Sequence, residues 1–246
     1  MKCIILAAGY ATRLYPLTEN FPKPLLKVKE KTILDWLIDD INGLKKIEEY
    51  IVISNHKFID HFNTWKENKK MDNITILDDR SISNETRVGA VADILFAINS
   101  LNLNDDLLVI AGDNVLDFSF KKFVSYFGKK KHSIIMRYYE EDKNKIKKSA
   151  CVLVNEKDQV LEMIEKPSIP TSNWCVPPFY LYSKKDIKLI QKAIDDGCNK
   201  DTPGALVNWM YDKTKMYAME MPGKRYDVGT IESYNLVNNI YEGINN

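Results

Sequence analysis

The sequence predicts an α/β fold: a doubly wound, mostly parallel central sheet with a small antiparallel subregion. Three observations carry this. Cys3 to Ala8 is a short, continuous apolar run with β-branched Ile4 and Ile5, which suits a strand buried on both faces of a parallel sheet. Apolar runs then alternate with helical periodicity as far as Leu77, an order that implies right-handed parallel crossovers. Further on, Ala150 to Val154 and Gln159 to Ile164 pair as a hairpin across Glu156-Lys157-Asp158.

The elements follow in order. After the first strand, Ile33, Leu34, Trp36, Leu37, Ile38 and Ile41 recur at helical spacing with Asp35, Asp39 and Asp40 between them, closing near Asn42-Gly43. Tyr50 to Ser54 reads as the second strand. Ile59, Phe62 and Trp65 share one side of a second helix, and Ile74 to Leu77 is a third strand. His56 and His61 lie here without a metal-like partner at close spacing, and read as surface or packing residues. Asn84 to Ala92 opens a helix running through Ile98. Leu107 to Ala111 is a buried strand ending in Gly112-Asp113-Asn114, and Ile134 to Tyr139 is another. Lys143 to Lys148 reads as a mobile, solvated loop. Lys184 to Ile194 is helical, Asp201-Thr202-Pro203-Gly204 opens a helix to Met210, Met216 to Met219 is a strand, and Ser233 to Ile244 closes the chain as an amphipathic helix.

The 246 residues and 45% hydrophobic content allow a sizeable core. A net charge of +1 argues against nucleic-acid binding, which needs a concentrated basic excess. Cys3, Cys151, Cys175 and Cys198 are widely spaced and read as structural thiols in a reducing compartment. The apolar run after Met1-Lys2 is shorter than a signal core, and no window is long enough to span a bilayer. A cytoplasmic protein without membrane partners is the expectation.

Function is concentrated in the stretch Lys2 to Leu26. The first strand stops at Ala8-Gly9. Small residues there let a ligand approach the backbone, and glycine permits a tight turn that aims N–H groups at an anion. Arg13 follows with a planar fork suited to phosphate oxygens, and Lys23 adds a point charge stiffened by Pro22 and Pro24. The position is the carboxyl edge of the first strand, where open α/β sheets bind ligands. The stretch lacks both the P-loop and the dinucleotide glycine patterns. Its full pattern runs from the apolar run through Ala-Ala-Gly, Thr-Arg-Leu and Tyr-Pro to Pro-Lys-Pro-Leu-Leu. It resembles the N-terminal signature of the NTP-transferase family of sugar-phosphate nucleotidyltransferases, and the resemblance runs to roughly the last helix.

That resemblance implies a Rossmann-like nucleotidyltransferase fold in a single domain, with residues 1–130 mainly binding nucleotide and 131–246 mainly the acceptor. It implies transfer of a nucleoside monophosphate from a triphosphate to a phosphorylated acceptor, with release of pyrophosphate. Leu6, Ala7, Ala8 and Gly9, with Asn84, Thr86 and Gly89 of the base-holding loop, would bind the nucleotide. Arg13 and Lys23 would be catalytic. Asp113, in Gly-Asp-Asn, and Asp227, in Asp-Val-Gly-Thr, would hold Mg²⁺, an ion that takes one or two carboxylates plus phosphate oxygens. Glu165-Lys166-Pro167 matches the family's Glu-Lys-Pro element, so Lys166 would contact the acceptor phosphate, with Pro178 and Tyr180 beside the acceptor. By themselves, Gly-Asp-Asn is equally a turn and Asn84 to Arg87 equally a capped helix start.

Two departures bear on substrate. The base loop lacks the family's Gln and Pro-x-Gly-Leu, and Pro177-Pro178 replaces the small residues against which a hexose would lie. The proline pair is also readable as an edge-strand feature. With Ala-Ala-Gly in place of Ala-Gly-Gly, the chain is similar to the small cytidylyltransferases that act on non-sugar acceptors, such as phosphoglutamine in capsule phosphoramidate synthesis. CTP is the expected donor. Sugar-1-phosphate uridylyl or thymidylyl transfer, and a catalytically silent nucleotide sensor on the same fold, stay open. The oligomeric state is not legible.

Overall fold

Cys3, Ile4 and Ile5 are fully buried, as a strand covered on both faces requires. They belong to β1 (Lys2–Leu6) in a computed structural model that describes residues 1–244. Two short 3-10 turns, Thr12–Leu14 and Lys23–Leu25, lead to the ribbon β2 (Lys27–Val28) and β3 (Lys31–Thr32). Then come α1 (Ile33–Gly43), β4 (Glu49–Ser54), α2 (Ile59–Lys69) and β5 (Ile74–Asp78). The middle of the chain holds α3 (Ala90–Ser100), β6 (Leu107–Ala111), β7 (Val115–Leu116), α4 (Lys121–Lys130) and β8 (Ser133–Tyr139). After α5 (Lys143–Ile146) come the hairpin β9 (Ala150–Val154) and β10 (Val160–Glu165), β11 (Trp174–Val176) and β12 (Phe179–Tyr182). The chain ends with α6 (Leu189–Asp195), α7 (Gly204–Met210), β13 (Met216–Glu220), β14 (Arg225–Tyr226) and α8 (Ile231–Ile240).

These elements divide into two compact units. Unit 1 contains Met1–Val88, Ala111–Lys121 and the chain from Pro222 onward; unit 2 contains Gly89–Ile110 and Lys122–Met221. In unit 1, β1 and β5 flank β4, both parallel to it, with Cys3 opposite Tyr50 and Tyr50 opposite Ile74. This is the alternation expected from the sequence. Helix α1 starts cleanly because Thr32 and Asp35 form a reciprocal capping box, and its apolar stripe, Ile33, Leu34, Leu37, Ile38 and Ile41, is buried. A second cluster joins Leu14, Leu26, Val115, Val228, Val237 and Tyr241, and so ties the N-terminal loop, β7 and α8 together.

In unit 2, β12 lies between β6 and β8 and is antiparallel to both, while β13 runs parallel to β8. β11 joins β8 to β9, and the hairpin β9–β10 has the expected partners, Val154 opposite Val160. Asp186 is buried, accepting hydrogen bonds from Ser133 (2.5 Å), Ser183 (2.7 Å) and Thr214 (2.8 Å). The antiparallel subregion falls in this unit.

Four local expectations are corrected. Lys143 to Lys148 is not simply a solvated loop: Asp142 caps α5, and Ile146 is buried against Cys151 and Cys175. Asn84–Thr86 is a separate 3-10 turn, with α3 starting only at Ala90 because Gly89 (φ 100°) breaks the helical backbone. α6 begins at Leu189, after turns. α8 begins at Ile231 and stops at Ile240. His56 is exposed and pairs with Asp78 at 2.6 Å, and His61 packs edge-on against Phe21, as surface or packing residues should. All four cysteines are free thiols. No helix among the described residues is long and apolar enough to cross a membrane.

Candidate active site

The loop after β1 is held from both sides. The Ala7 N–H bonds the Ile53 carbonyl, and the buried Asn55 side chain donates to the Ala8 carbonyl, each at 2.9 Å. The Thr18 hydroxyl donates to the Ala11 carbonyl at 2.8 Å. The left-handed residue is Ala11 (φ 46°), so the tight turn falls two residues past the glycine expected to make it. Gly9 is exposed and a Cβ there would meet nothing within 4 Å. It therefore leaves the backbone open rather than bending it. Arg13 extends from this loop into solvent, as a phosphate-seeking side chain must.

Lys23 is different: it is only 8% exposed, and its Nζ donates to Asp113 Oδ2 at 2.6 Å. A buried ammonium needs such a partner. Asp113 reaches it because Gly112 closes onto β1, its N–H bonding the Leu6 carbonyl at 2.9 Å. A Cβ on Gly112 would meet Ile5 Cγ2 at 2.9 Å. Burial pushes the Asp113 carboxyl up, but the Lys23 ammonium and then the Arg225 guanidinium outweigh it and hold the group below the usual carboxylate range.

Asp227 arrives by strand pairing. β14 is antiparallel to β7, with Tyr226 opposite Val115, so Asp227 enters the neighbourhood of Asn114, beside Asp113. Val228 is buried in the core, and Ser233 Oγ accepts from the Gly229 and Thr230 N–H groups at 3.0 Å, so the segment is fixed at both ends. A Cβ on Gly229 would lie 3.1 Å from an Asp227 carboxylate oxygen and 3.5 Å from Arg13 Nη2. Arg13 Nη2 and the Asp227 carboxylate thus both border Gly229. Arg13, Lys23, Asp113 and Asp227 all belong to unit 1, Lys23 bonded to Asp113, and Arg13 and Asp227 both bordering Gly229.

The other expected residues are less uniform. Asn84 accepts from Arg87 Nη1 at 3.1 Å. The Thr86 hydroxyl is engaged by its own turn, accepting from Ile82 and Ser83 N–H groups. Gly89, in unit 2, has a packing reason to be glycine, since a Cβ would come within 2.6 Å of the Lys200 carbonyl oxygen. Lys166, also in unit 2, is exposed at a left-handed position (φ 48°) just past β10. Pro177 and Pro178 link β11 to β12 instead of lying within a strand, and the Phe179 N–H closes a tight turn onto the Pro177 carbonyl at 2.7 Å. Tyr180 is buried in β12 and stacks on Tyr182.

The description "Nucleotidyl transferase" belongs to a family model that matches residues 2–243. The chain belongs to the nucleotidyl transferase family. It is 27% identical over 231 residues to the bifunctional protein GlmU of Methanocaldococcus jannaschii, covering 93% of this chain and 51% of that protein. It is 26% identical over 244 residues to a glucose-1-phosphate adenylyltransferase of Fervidobacterium nodosum, covering 94% and 59%. The chain thus spans roughly half the length of these curated relatives. A UDP-glucose pyrophosphorylase solved with UDP-glucose superposes with a TM-score of 0.81 at 20% identity, over 98% of this chain and 97% of that one, which shows the fold.

Within this nucleotidyl transferase, sequence reasoning missed two groups. Arg225 Nη1 donates to Asn114 Oδ1 at 3.2 Å, and Asn114 Nδ2 holds the Ala111 carbonyl at 2.8 Å. Asn114 stands in the Gly-Asp-Asn turn and Arg225 two residues before Asp227, but only the β7–β14 register joins them. The pair Asp113 and Asp227 fits Mg²⁺ by its chemistry, two hard oxygen donors with cations placed for phosphates. Among the described residues no group of three or more acidic, His or Cys side chains gathers to hold a metal, so phosphate oxygens and water would complete the shell.

Proposed function

We propose that this chain is a Mg²⁺-dependent nucleotidyltransferase that transfers CMP from CTP to a small phosphorylated acceptor, releasing pyrophosphate. The observation that carries the reading is the buried Lys23 ammonium at 2.6 Å from Asp113, in a unit where Arg13, on the loop after β1, and Asp227, past β14, both border Gly229. An acceptor phosphate oxygen attacks the α-phosphorus, and the bond to the bridging oxygen of pyrophosphate breaks. The nucleophile is already largely ionised at neutral pH, its second pKa being about 6, so no general base is required. The barrier lies in bringing two anions together, which asks for positioning and positive charge. Arg13 holds the triphosphate, Lys23 the α-phosphate and leaving pyrophosphate, and Lys166 the acceptor phosphate. The open backbone at Gly9 gives the triphosphate access to the loop. Asp113 and Asp227 would hold Mg²⁺, which supplies neutralisation of phosphate charge. Arg225 and Asn114 position Asp113.

The preference for CTP and for a non-sugar acceptor such as phosphoglutamine, in capsule precursor synthesis, rests on Ala7-Ala8-Gly9 and Pro177-Pro178. The names of similar proteins, a glucose-1-phosphate adenylyltransferase, a UDP-glucose pyrophosphorylase and a glucose-1-phosphate thymidylyltransferase among them, favour a second reading, nucleotidyl transfer to a sugar 1-phosphate, uridylyl or thymidylyl transfer included. Pyrophosphate release with Mg²⁺ and each of CTP, UTP, dTTP and ATP, across phosphorylated acceptors, separates them. Release with CTP and a small non-sugar phosphate is expected. Turnover confined to UTP or dTTP with a hexose 1-phosphate establishes the second reading. NTP binding with no release in any pairing leaves the silent sensor.

A further inference from the structure

Unit 2 contains a cavity of about 810 Å³ beside the end of β10. Lys166, proposed above to take the acceptor phosphate, is part of its wall, and so is Glu165. The wall has five carboxylates: Glu162, Glu165, Asp196, Asp201 and Asp212. Lys166 and Lys213 belong to the same lining. In a chain whose overall charge is +1, this excess of negative charge is local. A neutral sugar would bring no positive charge to this lining next to an incoming phosphate dianion.

Three further features indicate what would compensate it. The Glu165 carboxylate makes no hydrogen bond or ion pair among the described residues, and burial raises its pKa, with Lys166 opposing. Thr202 belongs to the same lining, and its buried hydroxyl oxygen has no hydrogen-bond partner among the described residues. Trp209 already carries an ammonium on its face: Lys213 Nζ sits 4.4 Å from the ring centroid and 2.8 Å from Asp212. That lysine demonstrates with the chain's own atoms what the wall accepts, an ammonium between an indole face and a carboxylate. The carboxylates do not gather as a metal site would, since no three acidic, His or Cys side chains among the described residues do so.

We propose that this cavity receives the non-phosphate part of the acceptor, and that this part is a compact organic cation, an ammonium group a few bonds from the phosphate. The inference rests on the nucleotidyltransferase reading for the word acceptor. The phosphate lies on Lys166 and the ammonium on Glu165.

Binding to the full chain, by calorimetry without nucleotide, tests this separately from catalysis. The probes are O-phosphoethanolamine, its neutral isostere propyl phosphate, and glucose 1-phosphate. O-phosphoethanolamine is expected to bind at least about tenfold more tightly than propyl phosphate, a charge-assisted contact in a half-buried site. Glu165→Gln should reduce that gap to about threefold or less while leaving propyl phosphate affinity unchanged; Glu165→Met replaces it if its melting temperature falls. Propyl phosphate or glucose 1-phosphate binding as tightly as O-phosphoethanolamine overturns the inference, as does an undiminished gap in a folded variant. The predicted selectivity without pyrophosphate release from any NTP supports the cation site and counts against the transferase reading.

Discussion

The Lys23–Asp113 pair predicts a measurable coupling whose sign depends on pH. Consider Lys23→Met, Asp113→Asn and the double variant. Lys23 is 8% exposed, while the Asp113 side chain is 44% exposed. Breaking a fully buried pair costs about 3–5 kcal/mol, and exposed pairs couple by about 0.2–1 kcal/mol. One buried partner and one half-open one place the coupling at about 1–2 kcal/mol near pH 7 by urea unfolding. The Asp113 carboxyl is held below its ordinary range, with Lys23 and Arg225 overcoming burial. A depressed carboxylate stabilises above its unfolded pKa of about 3.9 and loses that contribution as pH falls through the folded value. The coupling should therefore be full at pH 7 and shrink below about pH 4. A coupling under about 0.3 kcal/mol at pH 7, or one that grows on acidification, refutes the pairing.

The remaining predictions concern chemistry and backbone. Asp113→Asn and Asp227→Asn should each lower Mg²⁺-dependent pyrophosphate release by about a hundredfold or more while circular dichroism stays native; near-normal turnover of either rejects its assignment. Gly112→Ala forces its new methyl against Ile5 Cγ2 at 2.9 Å, so urea unfolding should show a loss of about 1–3 kcal/mol; unchanged stability would mean the closure of Gly112 onto β1 is loose. Gly89→Ala meets both a φ of 100° and the Lys200 carbonyl, so its melting temperature should fall even without nucleotide; a variant that melts normally but loses nucleotide affinity would make Gly89 a ligand contact instead. Replacing Pro177-Pro178 with Thr-Gly should shift acceptor preference towards hexose 1-phosphates in the pyrophosphate assay, and an unchanged preference would make the pair purely structural.

How much of this was legible depended on whether the signal was local. The parallel strands of unit 1 announce themselves because Cys3 to Leu6 and Tyr50 to Ser54 are covered on both faces and can carry almost nothing polar. The hairpin β9–β10 is local too. Asp113 stood out because it follows the apolar run Leu107 to Ala111 at a glycine-containing turn, and Asp227 because Asp-Val-Gly-Thr resembles a family element. Arg225 did not, because its partner Asn114 is 111 positions away and only strand pairing brings them together. Ile146 was lost among lysines, where composition reads as loop, although one buried side chain suffices to anchor the segment. The turn at Ala11 was assigned to Gly9 because glycine is the usual carrier of a left-handed backbone. Here the Thr18 hydroxyl, bonded to the Ala11 carbonyl, holds that conformation on an alanine.

The same distinction governs the electrostatics. A chain of net charge +1 gives no warning that it holds two opposed local fields. In unit 1, Arg13, Lys23 and Arg225 accompany Asp113 and Asp227, so a triphosphate adds negative charge where cations are already fixed. In unit 2 the cavity lining is net acidic, and the one ammonium seen on its aromatic wall belongs to the chain itself. Preorganised charge accelerates reaction only if it need not reorganise at the moment of transfer. Lys23 meets that condition: buried, paired and held by the short turn Lys23–Leu25, it is aimed before any ligand arrives. Lys166, exposed and unpaired by any ion among the described residues, does not, and an acceptor carrying its own cation would supply from the substrate side what the protein leaves unfixed.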